Sequence, residues 1–135
     1  MIIYPGIFCQ SGKSDIEIII TGFRNYSGTV NLNLFKSGDG FPDHNEKSLV
    51  SGKIQIISDT VIFHFKDMLP GKYAVSVLHD ENGNGKMEKN LLGKPREGFA
   101  FSNNYKPVFS SPSFSDVAFT ADQSKIRMDL QIIYF

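Results

Sequence analysis

The sequence predicts a single all-β domain, a two-layered antiparallel sandwich of about seven strands with one long ordered loop. Three observations predict it. Apolar residues recur with period two along most of the chain after Asp15, the spacing of strands that bury one face. No window combines helical apolar spacing with capping residues, so helix is expected to be scarce. The 135 residues are 41% hydrophobic and 13% aromatic, enough to fill one core without metals or disulfides, and that excludes a disordered chain.

Residues 1–14 are expected to stand apart from a domain spanning 15–135. The opening MIIYPGIFCQSG is apolar, then gives way to Lys13, Ser14 and Asp15. It is shorter than the roughly 18–20 residues a membrane-spanning helix needs. Cys9 and Ser11 lie two apart, as a signal-peptidase site requires, although the basic start of a full signal is missing. The segment reads as the end of an export signal, or alternatively as a loose N-terminal extension. Phe8 is too bulky for Cys9 to be a lipidated cysteine.

The first strand places Ile16, Ile18 and Ile20 on one face. Gly22, Asn25 and Gly28 then mark a turn. Val30, Leu32 and Leu34 alternate with Thr29, Asn31 and Asn33 in a second strand, and residues 36–47, rich in Gly, Asp, Asn and Pro, form a surface loop. A strand at 53–57 is followed by one with Val61, Phe63 and Phe65 inward. Pro70-Gly71 turns the chain into a strand with Tyr73, Val75 and Val77 on one side. Residues 116–120 and 125–134 alternate again, the latter through Ile126, Met128, Leu130, Ile132 and Tyr134. Short strands with turns every 8–12 residues describe an immunoglobulin-like sandwich, which takes about 100 residues. Residues 80–114 are left over. A structureless connection of that length inside a compact domain is usually either functional or disordered, and the segment's low net charge and two large aromatics argue for an ordered one.

Charge narrows the function classes. Fourteen Lys+Arg balance fourteen Asp+Glu, which argues against a nucleic-acid binder, since such proteins need clustered cations. One cysteine excludes an internal disulfide and the usual multi-thiolate zinc site.

The surplus segment begins with Asp80, Asn82, Asn84 and Gly85, the first half of the D-x-[DN]-x-[DN]-G calcium loop. Alternate oxygen-bearing side chains can converge on one hard cation because glycine permits the sharp bend. In that register Lys86 offers its carbonyl and Glu88 sits at position nine, but position twelve is Leu91 rather than glutamate. With few anionic ligands and Lys86 and Lys89 nearby, calcium binding is expected to be weak, with Kd on the order of 10⁻⁴–10⁻³ M. The alternative is a turn whose Asx side chains bond their own backbone. Further on, Phe99 and Phe101 are expected on one side of the segment, laid over the sandwich edge. Asn103 and Asn104 suit a turn whose amides tie backbone or meet a ligand.

The run HDENGNGKMEKNLLGKPREGFAFSNN, with Pro112-Ser113-Phe114 and Ala118-Phe119 after it, closely resembles the uncharacterised bacterial family designated domain of unknown function 2141. The positions that carry the resemblance include His79, Asp80, Asn82, Gly83, Asn84 and Gly85. Downstream they continue through Gly93, Pro95, Glu97, Gly98, Phe99, Phe101, Ser102, Asn103 and Asn104. Glu88 departs from the family's frequent aspartate and Ala100 from its common glycine; both leave a calcium site open. The run Leu69-Pro70-Gly71-Lys72-Tyr73 also resembles the strand entry of transthyretin-like modules. These resemblances imply a sandwich fold and an exported, periplasmic or extracellular location, and no activity.

Catalytic readings weigh less. His79 and Asp80 are adjacent on a strand and point to opposite faces, so His79 is expected to brace the base of the long segment. His64 lies on a polar face; His44 sits with Asp43 in a wet loop. There is no Gly-x-Ser-x-Gly elbow, and Gly83-x-Gly85 opens no helix. The sequence thus points to a non-enzymatic exported module, binding or structural. Its working surface is expected to be His79, Glu97, Phe99, Phe101, Ser102, Asn103 and Asn104, meeting a protein or carbohydrate ligand, with no transmembrane span. The alternative is a hydrolase-like enzyme using His79, Asp80 and Glu97 beneath the 80–104 segment.

Overall fold

The protein was analysed as a computed structural model, which describes residues 12–85, 96–107 and 110–135. Eight strands form two packed sheets: β1 Ser14–Thr21, β2 Thr29–Phe35, β3 Val50–Gln55, β4 Val61–Met68, β5 Gly71–Asp80, β6 Phe99–Phe101, β7 Phe119–Ala121 and β8 Lys125–Gln131. The smaller sheet has the order β4-β1-β8; the larger runs β3-β2-β5-β6, with β7 also pairing β5. No helix among the described residues is long and apolar enough to cross a membrane.

The alternating faces appear where the sequence places them. Ile16, Ile18 and Ile20 of β1 and Val30, Leu32 and Leu34 of β2 are fully buried and meet Val61, Phe63, Phe65, Val75 and Val77 in one core cluster between the sheets. A second cluster covers the outer face of the larger sheet, where Ala74, Phe99, Phe101 and Val117 are packed by Phe41, Tyr105, Phe114 and Ile133. β5 is therefore buried on both faces through residues 73–77, not on one.

Four expectations need correction. The sandwich is not purely antiparallel, because β1 and β8 pair in parallel, Asp15 opposite Lys125 through Thr21 opposite Gln131. The strand expected at 53–57 starts earlier, at Val50, and ends at Gln55; Ile57 is 84% exposed where the chain turns toward β4. Residues 116–120 are not one strand. A capping box, with Ser113 and Asp116 each bonding the other's backbone N–H, starts a one-turn helix, α1, at Phe114–Val117, and β7 begins only at Phe119. Finally, the surplus segment is not wholly a loop. It contributes β6, pairing Ser76 with Phe101 and Leu78 with Phe99.

The second side of β5 is thus shared. β7 lies along its start, at residues 71–73, and β6 along its end, at 76–78. The C-terminal chain closes that side: Ile132 N–H donates to Thr21, and Ile133 exchanges two backbone hydrogen bonds with Phe99.

Candidate functional site

The residues singled out by the sequence gather at the end of β5 and along the β6 margin. His79 faces the core. Its Nε2 lies 2.8 Å from the Ser27 carbonyl and its Nδ1 2.7 Å from the Tyr134 hydroxyl. A nitrogen facing a carbonyl must carry the proton, so in the neutral ring Nδ1 accepts from Tyr134. That hydroxyl in turn accepts the Arg24 backbone N–H at 3.1 Å. The His79 ring meets Phe23 and Tyr134 edge to face. The His79 ring therefore braces the 23–28 turn and the C-terminal chain, while its backbone N–H ties the long segment, donating to the Gly98 carbonyl at 2.8 Å.

Asp80 lies on the opposite face, and no hydrogen bond joins the two among the described residues. Its side chain is fully buried. Oδ2 accepts the Gly85 N–H at 2.8 Å and the Asn31 amide at 3.2 Å. Asn82 Oδ1 accepts the Asn84 N–H at 3.1 Å. The turn curls around these bonds, with Gly83 and Gly85 at φ near +75°, a region that favours glycine. From the bend just before β6, Glu97, also buried, accepts the backbone N–H groups of Glu81 (2.8 Å) and Asn82 (3.4 Å) on Oε2. Two carboxylates thus hold three backbone N–H groups of one turn, those of Glu81, Asn82 and Gly85. Asp80 Oδ1 is buried and has no hydrogen-bond partner among the described residues.

Glu81 turns the other way. Its oxygens meet Arg24 Nε at 2.9 Å and Nη2 at 2.6 Å, while the Asn25 amide donates to it at 2.7 Å. The Arg24 guanidinium lies 4.6 Å above the Tyr134 ring centre and also donates to the Arg96 carbonyl at 3.1 Å. This bidentate bond holds the Glu81 carboxyl below the usual glutamate range and raises Arg24. Burial raises the Tyr134 phenol. Arg24, Asn25, Asn31 and Tyr134 were not legible as site residues. The Gly22–Asn25–Gly28 turn composition marks where Arg24 sits, but nothing in the sequence links it to a carboxylate 57 residues away.

Phe99 and Phe101 do fall on one side, but as strand residues within the outer cluster, 4% and 8% exposed. Phe41, Phe114 and Phe135 cover them, so they offer no aromatic surface. Ser102–Asn104 forms a single 3-10 turn at the seam where β6 stops and β7 begins. The Ser102 hydroxyl accepts the Val75 N–H at 3.0 Å and donates to the Val117 carbonyl at 2.6 Å. The Asn103 amide donates to the carbonyls of Val117 and Ala118, each at 3.2 Å. The Asn104 side chain donates to Asp129 O at 2.8 Å and accepts Gln131 N–H at 2.9 Å. One amide thereby occupies the place of a neighbouring strand along the open edge of β8. Both asparagines sit at φ near +60°, which asparagine tolerates better than most residues.

Lys86 and Glu88, expected as further metal ligands, lie outside the described residues. Among those described, no group of three or more His, Cys, Asp or Glu side chains converges as a metal site. The turn carries oxygen-bearing side chains at Asp80, Asn82 and Asn84, a hard-ligand type suited to calcium and poorly suited to transition metals, and Asp80 and Asn82 each accept a backbone N–H of the same turn.

Fold and site define an all-β sandwich protein with a buried histidine–carboxylate framework at one end of its larger sheet. The chain belongs to the bacterial family DUF2141, described as an uncharacterised protein conserved in bacteria, whose model matches residues 18–129. No curated protein and no solved structure matches it.

Proposed function

We propose that the protein is an exported, non-enzymatic β-sandwich module whose working surface is the 80–104 segment, and that the turn at its head takes calcium weakly. The observation that carries the calcium site is Asp80. One oxygen shapes the turn and the other is buried without a hydrogen-bond partner among the described residues. Leaving such an oxygen unsatisfied is costly, and a cation would satisfy it. The non-enzymatic reading is supported by where the polar atoms go. His79, Ser102 and Asn103 are bonded to backbone or to Tyr134, and one oxygen of Glu97 binds two backbone N–H groups. Export is read from the apolar opening and the spacing of Cys9 and Ser11. The exposed Asn82 and Asn84 are what the turn presents to a protein or carbohydrate ligand.

Calorimetric and thermal-shift titration with calcium tests this. With Kd near 10⁻³ M, 10 mM calcium adds about 1.4 kcal/mol of stability, a Tm rise of about 4–6 °C for a chain of this size. Asp80→Asn should lose that rise. No heat and no shift at 10 mM calcium would remove the calcium site.

A further inference from the structure

We propose a second site, independent of the calcium turn: a cation-rimmed apolar groove at the opposite end of β5 that binds a single-chain anionic amphiphile, an alkyl carboxylate. β5 enters this groove at Gly71 and leaves for the calcium turn at Asp80, about 30 Å away at the rise of a strand. The groove exists because two edge strands from opposite sheets diverge. At Gly52 they touch, since a Cβ there would stand 2.8 Å from the Phe63 ring. Toward the start of β3 and the end of β4 they part. Asp67, at φ +57°, breaks the β4 ladder, and its N–H is taken by the Asp15 carboxylate at 3.1 Å.

The opening has a volume of about 610 Å³, within the range of small-molecule sites. Phe65, Met68 and Tyr73 line it from the core side. Leu49, Val50 and Leu69, three of the large apolar side chains left exposed on the protein, line it at 48%, 36% and 62% exposure. Lys36, Lys66 and Lys72 also line it, all exposed, and none is ion-paired among the described residues. Asp67 is the one acid in the lining, and His64 there faces Glu17 at 3.6 Å. Within the lining the three lysines outnumber the one acid by two, beside uncovered apolar surface, with the Asp15 carboxylate held behind on the Asp67 N–H and Glu17 behind His64.

That pairing selects the occupant. An alkyl chain covers Leu49, Val50 and Leu69, and its carboxylate meets the lysines. A second copy of the chain fits poorly, because a two-fold contact on this face sets lysines against lysines.

The experiment is isothermal titration of the intact protein with octanoate, decanoate and dodecanoate below their micellar concentrations, beside uncharged dodecyl maltoside. Expected are one saturable site, tightening of about two- to fourfold per added CH₂, and weaker binding of the uncharged amphiphile. Lys66→Gln/Lys72→Gln should weaken dodecanoate about tenfold, and Leu69→Glu should abolish binding, with unchanged far-UV circular dichroism in both. Absence of heat with dodecanoate would overturn the proposal. So would equal binding by the lysine variant, or a dimer that Leu69→Glu dissociates while dodecanoate has no effect.

Discussion

Replacing Ser102 with alanine isolates the seam between β6 and β7. The hydroxyl is fully buried and serves two elements, accepting the Val75 N–H and donating to the Val117 carbonyl. The two bonds are not equivalent. Val117 O keeps the Asn103 amide at 3.2 Å after the change, whereas the Val75 N–H has no other partner among the described residues on that side of β5. An orphaned buried donor costs about 1–3 kcal/mol, and the lost bond to the carbonyl adds about 0.5–1 kcal/mol. Removing a buried hydroxyl recovers a little desolvation, so the net loss is about 2–3 kcal/mol. For a domain of this size that lowers Tm by about 6–15 °C. Urea unfolding followed by circular dichroism should show a lower midpoint with an unchanged slope, and native-state exchange of the Val75 amide should accelerate. Ser58→Ala, at an exposed turn, serves as the control and should stay within about 0.5 kcal/mol. If Ser102→Ala is as stable as that control, the seam does not hold the sheet.

Three other perturbations separate packing, charge and edge protection. Gly98→Ala would place a Cβ 2.4 Å from both Ile132 Cγ2 and the Tyr134 ring, and should cost about 1–3 kcal/mol by overpacking, read as a lower thermal midpoint. Glu81 has its folded pKa lowered by Arg24, so the unfolded chain takes up that proton first. Its stabilisation is full above the ordinary glutamate range and is lost as pH falls through the lower folded value. Glu81→Gln should therefore be less stable than the parent at pH 7 and nearly equal to it in strong acid, measured by urea midpoints across that window. Asn104→Gly removes the amide that occupies the β8 edge and keeps the positive φ without strain. It should cost no more than about 1.5 kcal/mol but raise light scattering on incubation, because an open strand edge templates association.

Strand faces were legible because their signal is local. A period of two in Ile16, Ile18 and Ile20, or in Val61, Phe63 and Phe65, specifies which side is buried whatever lies opposite. Partners are not local. Nothing in residues 125–131 says that they run parallel to β1, and nothing in Arg24 points to Glu81. β6 escaped notice because three residues are too few to show a period, and its pairing depends on Ser102 and Ile133 beside it. The short helix α1 did carry a readable sign, Ser113 followed by Asp116 three residues later, but the alternation of residues 116–120 outweighed it. At the candidate site the motif could be read as a run of residues but not the contacts each one makes, because the Ser27 carbonyl and the Tyr134 hydroxyl that hold His79 lie far from it in sequence.

The parallel pairing of β1 with β8 has a mechanical consequence. The chain enters β1 at its Asp15 end and leaves β8 at its Gln131 end, and these lie at opposite ends of the shared ladder. Tension applied between the two termini therefore drags the strands past each other lengthwise. Every hydrogen bond across the seven matched positions resists at once, where an antiparallel pair pulled from one end would open like a zip, bond by bond. A domain tethered at one terminus and loaded at the other would transmit force stiffly and yield in a single step.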